Sequence, residues 1–340
     1  MADHLLITRG GLFSTLQDFG RFGYQRFGIS ASGAMDTMSM QAANALVGNE
    51  AGVAVVEMTM LGLAASVEAG RCRLALAGAD FALTINGRPA ECWRAYELRR
   101  GDSVEIGGAR TGMRGYLAIG GGVDIAPTLG SLSTHSRSQI GGLDGRALRP
   151  GDRLPLRAAR SGPLLALGPA YRPTPDGPIR VVLGPQDDFF TPAGIGTFLS
   201  SDYRVTDKTD RMGCQLDGPA IEHAAGFNIV SDGIMNGSIQ VPGNGRPLIL
   251  LADRQTTGGY PKIATVIGPD LHCLAQRRPG DVLRFEQVSV EQAEQAAAAQ
   301  RETLVAMLAN MTEVTEPSAD VSSEKLLALN LVSGVCSAFE

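Results

Sequence analysis

Lysine is nearly missing from this 340-residue chain: of 30 basic residues only Lys208, Lys262 and Lys325 are lysine, and the rest are arginine. Histidine is as sparse, with only His4, His135, His223 and His272. None stands in an HExxH or HxH arrangement, so a catalytic metal held by several imidazoles is not expected. Five cysteines, Cys72, Cys92, Cys214, Cys273 and Cys336, are widely spaced and form no CxxC pair. They read as buried free thiols in preference to a disulfide framework or a zinc site. No apolar run approaches the roughly 18 residues that a membrane helix requires. The start, Met1-Ala2-Asp3-His4, lacks the basic stretch and apolar core of a secretory signal. A soluble, cytoplasmic protein is expected. A basic excess is also absent, since the formal net charge is -5, and a nucleic-acid footprint needs a basic face. Two nucleotide signatures are missing. No GxxxxGK[ST] segment occurs, so no Walker A loop holds ATP in this chain, and Gly120-Gly121-Gly122 lacks the GxGxxG spacing of a dinucleotide site.

Glycine and proline are abundant, at 43 and 18 residues, and they punctuate short alternating runs in the rhythm of a β-rich barrel or sandwich. With 44% hydrophobic and 19% charged residues the composition is globular, and the length favours about two domains. Phe81-Ala82-Leu83-Thr84-Ile85 alternates and ends at Asn86-Gly87, a pair suited to a type I′ hairpin turn. Further strands read at Ser103 to Ile106, Gly115 to Ile119, Ile179 to Leu183, Leu248 to Ala252 and Asp281 to Phe285. Helical signals are few. Asp36 can cap a helix from Thr37 to Val47, stopped by Gly48-Asn49, and the Ala- and Gln-rich stretch from Val290 to Asn310 reads as a longer helix. The polar, acidic stretch from Thr312 to Ser323 predicts a mobile tail.

The sequence also repeats itself. Arg71-Cys72-Arg73-Leu74-Ala75-Leu76-Ala77-Gly78 lines up with Arg246-Pro247-Leu248-Ile249-Leu250-Leu251-Ala252-Asp253, an offset of 175 (246 minus 71). The segment around Gly101-Asp102 resembles that around Gly280-Asp281, an offset of 179 (280 minus 101). Two related β modules at about 20–107 and 200–287 follow, with chance recurrence of Gly-Asp turns as the competing reading. A cleft between two such modules is a natural ligand site.

Four loops could carry chemistry. In Ala252-Asp253-Arg254-Gln255-Thr256-Thr257-Gly258-Gly259-Tyr260-Pro261-Lys262 an apolar strand runs into hydroxyls, an amide and free backbone N–H groups, as a site for a carboxylate or carbonyl oxygen requires. Thr256, Thr257 and Lys262 read as catalytic, Lys262 as a mobile positive charge. Asp253, Gln255, Gly258, Gly259 and Tyr260 read as binding, and Gln240 is counted with them. A tight glycine turn is the competing reading. In Thr206 to Gly213, Arg211 could clamp a carboxylate that Asp210 helps orient, or the segment is a solvated loop or an interdomain ion pair. In Ser131 to Gly142, His135 could act as a base with Arg137 nearby, or serve as a hydrogen-bonded structural residue. Near the start, Asp18, Arg21 and Asp36 stand among glycines and aromatics, where they line a pocket or form packing corners. Glu57-Met58-Thr59-Met60 has threonine where a biotin-bearing turn has its lysine, and no lysine here is flanked by methionine, so biotin is not covalently attached.

The segments Thr15-Leu16-Gln17-Asp18-Phe19-Gly20-Arg21-Phe22-Gly23-Tyr24, Ser32-Gly33-Ala34-Met35-Asp36, Ala118-Ile119-Gly120-Gly121-Gly122-Val123-Asp124, Asp210-Arg211-Met212-Gly213 and Gln255-Thr256-Thr257-Gly258-Gly259-Tyr260-Pro261 together resemble the allophanate-hydrolase-subunit-2 family. The resemblance runs from about Gly11 to Phe285. It implies a mainly β fold of two cyclophilin-like β-barrel modules related by internal duplication, at 1–165 and 175–288, with a C-terminal helix and tail at 289–340. It also implies the role of C subunit in a 5-oxoprolinase complex, a hydrolase that opens a cyclic amide with ATP bound through the complex. The implied partners are a B-type (KipI-like) subunit and an A-type (LamB/YcsF-like) subunit, without which the chain is expected to be inactive. Two other roles occur among such proteins: the carboxyltransferase component of a biotin-dependent urea carboxylase or allophanate hydrolase-type system, and a Kip-antagonist-like regulatory binding protein.

Overall fold

The computed structural model describes residues 3–158, 161–174 and 176–314. Nine strands build the first sheet: β1 (His4–Arg9), β2 (Phe13–Gln17), β3 (Val55–Thr59), β4 (Ala64–Glu68), β5 (Cys72–Ile85), β6 (Arg88–Ala90), β7 (Ala95–Leu98), β8 (Ser103–Ile119) and β9 (Arg153–Pro155). Their path is β2-β3-β8-β4-β1-β9, with β5 pairing β6, β7 and β8. Helix α1 (Thr37–Leu46) packs on β5 and β8 and is capped by Asp36, whose carboxylate accepts the Ser39 N–H at 2.9 Å. The Asn86-Gly87 hairpin forms as expected between β5 and β6, with both residues at positive φ. The strands read at Ser103 to Ile106 and Gly115 to Ile119 prove to be the two ends of one 17-residue strand. Register shifts against β5 around Gly78 to Leu83 bend the pair, so one strand serves both regions.

A short β10 (Leu165–Leu167) precedes the second module. There β11 (Ile179–Leu183), β12 (Tyr203–Thr209), β13 (Gly213–Asp217), β15 (Ser238–Gln240), β16 (Leu248–Leu250), β18 (Lys262–Val266), β19 (Val282–Leu283) and β20 (Phe285–Gln287) order as β19-β12-β13-β16-β15-β18-β11-β20. A separate ribbon pairs β14 (Asp232–Gly233) with β17 (Thr257–Gly258). Helices α2 (Pro192–Ser200) and α3 (Leu271–Ala275), which the sequence patterning did not reveal, flank this sheet. Its core centres on Val181, Phe198, Tyr203, Ile239, Ile263 and Phe285, with the Phe198 and Phe285 rings stacked 4.5 Å apart. No helix among the described residues is long and apolar enough to cross a membrane. Cys72, Cys92, Cys214 and Cys273 are buried free thiols; burial pushes Cys72 up to about 12 and Cys214 and Cys273 up to about 11. Cys336 lies outside the described residues.

The long helix α4 (Val290–Ala309) starts at a full capping box, with Ser289 and Gln292 exchanging hydrogen bonds. It returns the chain to the first module, where Met307 joins that core. The tail expected to be mobile from Thr312 is, at its start, a strand. In β21 (Met311–Glu313), Met311, Thr312 and Glu313 pair with Leu167, Ala166 and Leu165, so their backbone groups have partners. Residues 315–323 lie outside the described residues.

The two modules share a plan: β5 lies between β7 and β8, and β15 between β16 and β18, all antiparallel. The residue match at offset 175 pairs β5 with β16, which likewise lies between two antiparallel neighbours, β13 and β15. The second match has its own explanation. Arg99-Arg100-Gly101-Asp102, Arg149-Pro150-Gly151-Asp152 and Arg278-Pro279-Gly280-Asp281 are three copies of one turn. Their glycines have φ of 92°, 92° and 97°, where a Cβ is strained. Each aspartate accepts the N–H of the residue three before it, at 2.7, 2.9 and 2.8 Å respectively.

In the middle copy the hydrogen bond from Arg146 holds the Asp152 carboxyl below its ordinary value, although burial opposes it. A carboxyl depressed in the folded state stabilises above its unfolded pKa, and that contribution is lost as pH falls through the folded value. The Asp152→Asn chain should therefore lose less Tm than the parent between about pH 5 and pH 2, followed by circular dichroism. Parallel Tm curves would contradict this.

Candidate functional site

The turn from β12 to β13 sets the site. Asp210 Oδ1 accepts the N–H groups of Met212 and Gly213 at 2.7 and 3.1 Å, and this bend turns Arg211 inward. The Arg211 Nε and Nη2 donate to the Asp253 carboxylate at 2.9 and 3.0 Å, Nη1 donates to Glu57, and Nη2 also reaches the Gly33 carbonyl at 2.7 Å. Burial works against the guanidinium charge, yet Asp253 and Glu57 together hold its pKa above the ordinary value. Glu57 and Gly33 belong to the first module, Arg211 and Asp253 to the second. With Arg114 Nε 4.0 Å from Glu57, two guanidinium groups meet two carboxylates, and the cluster is a buried, charge-balanced joint between the modules.

Gln276 forms a second peg beside it. Its Oε1 accepts the N–H groups of Met113 and Arg114, both at 3.0 Å, and its Nε2 donates to Asp36 at 2.9 Å. Asp36 donates its own N–H to the Tyr116 hydroxyl at 2.8 Å. Burial, with Glu57 and Asp36 adding, pushes the Tyr116 phenol well up, so it stays protonated.

Against this joint opens a cleft of about 370 Å³, lined by Phe13, Thr59 and Arg114 from one module and Thr209, Asp210 and Met212 from the other. Arg211 and Asp253 form part of its floor, and His135 and Arg137 part of its wall. Across its mouth Arg137 and Asp210 stand 3.6 Å apart, with 67% and 60% of their side chains exposed. The Asp210 oxygen facing Arg137 is the one not used in the turn. His135 Nδ1 accepts the Ser138 N–H at 3.2 Å, which places the proton on Nε2, 3.3 Å from the Asp253 carbonyl. Both ring nitrogens are therefore engaged, and His135 positions the wall. A neighbouring depression of about 400 Å³ shares Arg137 and Asp210 and adds Lys208 and Gln255.

The fold thus brings together Asp210, Arg211, His135, Arg137 and Asp253, with Gln255 next door. The rest of the glycine-rich loop lies elsewhere. Thr257 and Gly258 pair with Gly233 and Asp232 in the β14–β17 ribbon, Thr256 accepts the Ile234 N–H, and Gly259 accepts that of Ile229. The Tyr260 carbonyl accepts from buried Gln240 at 3.1 Å, and a Cβ on Gly258 would sit 2.6 Å from that same amide. None of these lines the 370 Å³ cleft. Lys262 corrects the expectation of a mobile charge. It is 2% exposed, and its Nζ donates to Asp232 at 2.6 Å and to the Gly233 carbonyl at 3.0 Å, pinning the ribbon to β18. The hydrogen bond from Lys262 is the main reason the Asp232 carboxyl lies below its ordinary value.

Asp18 and Arg21 are packing corners. The Asp18 carboxylate accepts from the Ser131 and Ser133 hydroxyls at 2.6 and 2.5 Å and from the Leu132 and Gly20 N–H groups. Arg21 Nε and Nη2 donate to the carbonyls of Thr128, Ser131 and Ser133, and burial lowers its pKa against the pull of Asp18. Among the described residues no cluster of His, Cys, Asp and Glu could hold a metal. Sequence reasoning missed Glu57, Arg114 and Gln276. A charge inside the apolar run Val55-Val56-Glu57-Met58 was the available signal for a buried ion pair.

The chain is 37% identical over 292 residues to the 5-oxoprolinase C subunit of Escherichia coli (strain K12), covering 85% of this chain and 93% of that protein. It is also 37% identical over 281 residues to the 5-oxoprolinase C subunit of Haemophilus influenzae (strain ATCC 51907 / DSM 11121 / KW20 / Rd), covering 82% and 90%. The crystal structure of the K. lactis urea amidolyase superposes with a TM-score of 0.83 at 29% identity, over 93% of this chain but only 20% of that much longer one. The model of the carboxyltransferase domain, subdomain A and B, matches residues 27–287, and with these relatives it places the chain in that carboxyltransferase-domain family.

Proposed function

We propose that the chain is the C subunit of a 5-oxoprolinase assembly in the cytoplasm, which opens the cyclic amide 5-oxoproline to L-glutamate at the expense of ATP. The observation that carries this is the similarity to two 5-oxoprolinase C subunits along nine-tenths or more of their lengths. The inter-module cleft supplies fitting chemistry. Arg137 offers a guanidinium to the ring carboxylate, the free oxygen of Asp210 faces the same space, and Phe13 and Met212 give the ring apolar walls. Water adds to the amide carbonyl, the C–N bond breaks, and the nitrogen leaves as the amine of glutamate. ATP belongs to the A- and B-type partners, since this chain has no Walker A loop.

The superposition on a urea amidolyase favours a second reading, carboxyl transfer with biotin delivered in trans on another protein. Reconstitution separates the two. Purified chain combined with A- and B-type subunits should form glutamate from 5-oxoproline and ATP, and the chain alone should not. Arg137→Ala should raise KM about tenfold or more with little change in Tm. Bicarbonate-dependent carboxylation of urea without 5-oxoproline turnover, or turnover by the chain alone, would overturn the proposal.

A further inference from the structure

A second cavity, of about 280 Å³, also lies between the modules but is lined by other residues, Trp93 and Arg172 among them, and shares none with the 370 Å³ cleft. Trp93 is the only tryptophan of the chain and is 5% exposed. Its φ is 64°, in the left-handed region that bulky residues rarely enter and that clusters at ligand sites. Two backbone hydrogen bonds hold it there, from its N–H to the Leu76 carbonyl at 2.6 Å and from the Leu167 N–H to its carbonyl at 2.8 Å. Its indole N–H meets no acceptor among the described residues and is not among the sealed, unsatisfied groups, so it keeps accessible surface, and the residue lines the cavity. An indole donor this deep in a protein ordinarily has a partner.

Arg172 stands beside it, with its guanidinium 5.8 Å from the indole centroid. Nε and Nη2 share the Leu167 carbonyl at 3.2 and 3.1 Å, which leaves Nη1 without an acceptor among the described residues. Among the carboxylates that line the cavity, Asp36 is buried with both oxygens taken by Ser39 and Gln276, whereas Asp80 is half-exposed, 3.7 Å from Arg110. The cavity therefore offers two uncommitted donors for an anionic group and one accessible carboxylate for a cationic one. The volume suits a molecule the size of an amino acid.

We propose that this cavity is a binding site for a small zwitterion, an α-amino acid, whose carboxylate takes the Trp93 indole N–H and Arg172 while its ammonium faces Asp80. The assignment does not depend on the reaction performed at the other cleft. Because Trp93 is the sole indole, its fluorescence reports directly on occupancy, and saturation-transfer NMR on the ligand gives an independent reading. With L-glutamate as probe and the full chain as receptor, both should show saturable binding with a Kd on the order of 1 mM or tighter. Glutarate, which lacks the amine, and propylamine, which lacks the carboxylate, should bind at least about tenfold more weakly, as should L-glutamate to the Arg172→Ala and Asp80→Asn chains. Both substitutions fall on partly exposed side chains outside the buried joint, so the fold should persist. Equal binding of glutarate, unchanged affinity in both variants, or no saturable signal from L-glutamate in either measurement would each overturn the proposal.

Discussion

Replacing Arg211 with methionine should lower the stability of the chain by about 3–5 kcal/mol, the usual cost of stranding buried charge. The side chain is 6% exposed, and removing it leaves the Asp253 carboxylate, 7% exposed, without its guanidinium partner and Glu57, 1% exposed, with only the longer 4.0 Å pair to Arg114. The Gly33 carbonyl loses its donor as well. Urea denaturation should show a lower midpoint. The double change Arg211→Met, Asp253→Asn should recover part of the loss, because the stranded carboxylate is gone and Glu57 keeps its pair with Arg114. A single variant that loses less than about 1 kcal/mol, within the range of an exposed pair, would mean that water reaches this joint.

The Asp210→Asn chain tests the mouth of the cleft without disturbing the turn, since the amide oxygen can still accept from Met212 and Gly213. In the reconstituted assembly its turnover should fall on the order of 10²-fold, the usual worth of a positioned acid or base, while Tm stays close to that of the parent. The side chain is 60% exposed and its ion pair with Arg137 is long, at 3.6 Å, so little folding energy rests on it. Full turnover in this variant would reduce the pair to a solvated contact between modules.

How far the sequence could be read differed with the physics of each element. Capping and composition fixed the ends of α1 and α4 closely, because those signals are local. Asn86-Gly87 named its hairpin for the same reason. Strand identity was harder. Leu74 and Leu248 share a run of similar residues and both fall in strands flanked by antiparallel neighbours, but which strands those neighbours are is a long-range property that a short match does not contain. The site divided likewise. Asp210 and Arg211 stood out as charges beside glycine, and Arg211 does meet Asp253 at the joint while Asp210 faces Arg137 at the cleft mouth. Lys262 carried the same surface appearance, but its place beneath a two-stranded ribbon depends on Asp232, thirty positions away in sequence. Glu57 and Gln276 were hidden because their partners come from the opposite module.

The two hydrophobic cores trade a residue in each direction. Met35, from the first half of the chain, belongs to the core of the second module, and Met307, carried back on α4, fills the core of the first. Each half therefore lacks a plug that only the other supplies. Domains within one chain ordinarily slide or hinge on polar contacts, but here such sliding would have to withdraw a methionine from an apolar interior. The pair is better pictured as one mortised block, and any change of shape during turnover falls to its loops and to the proteins assembled around it.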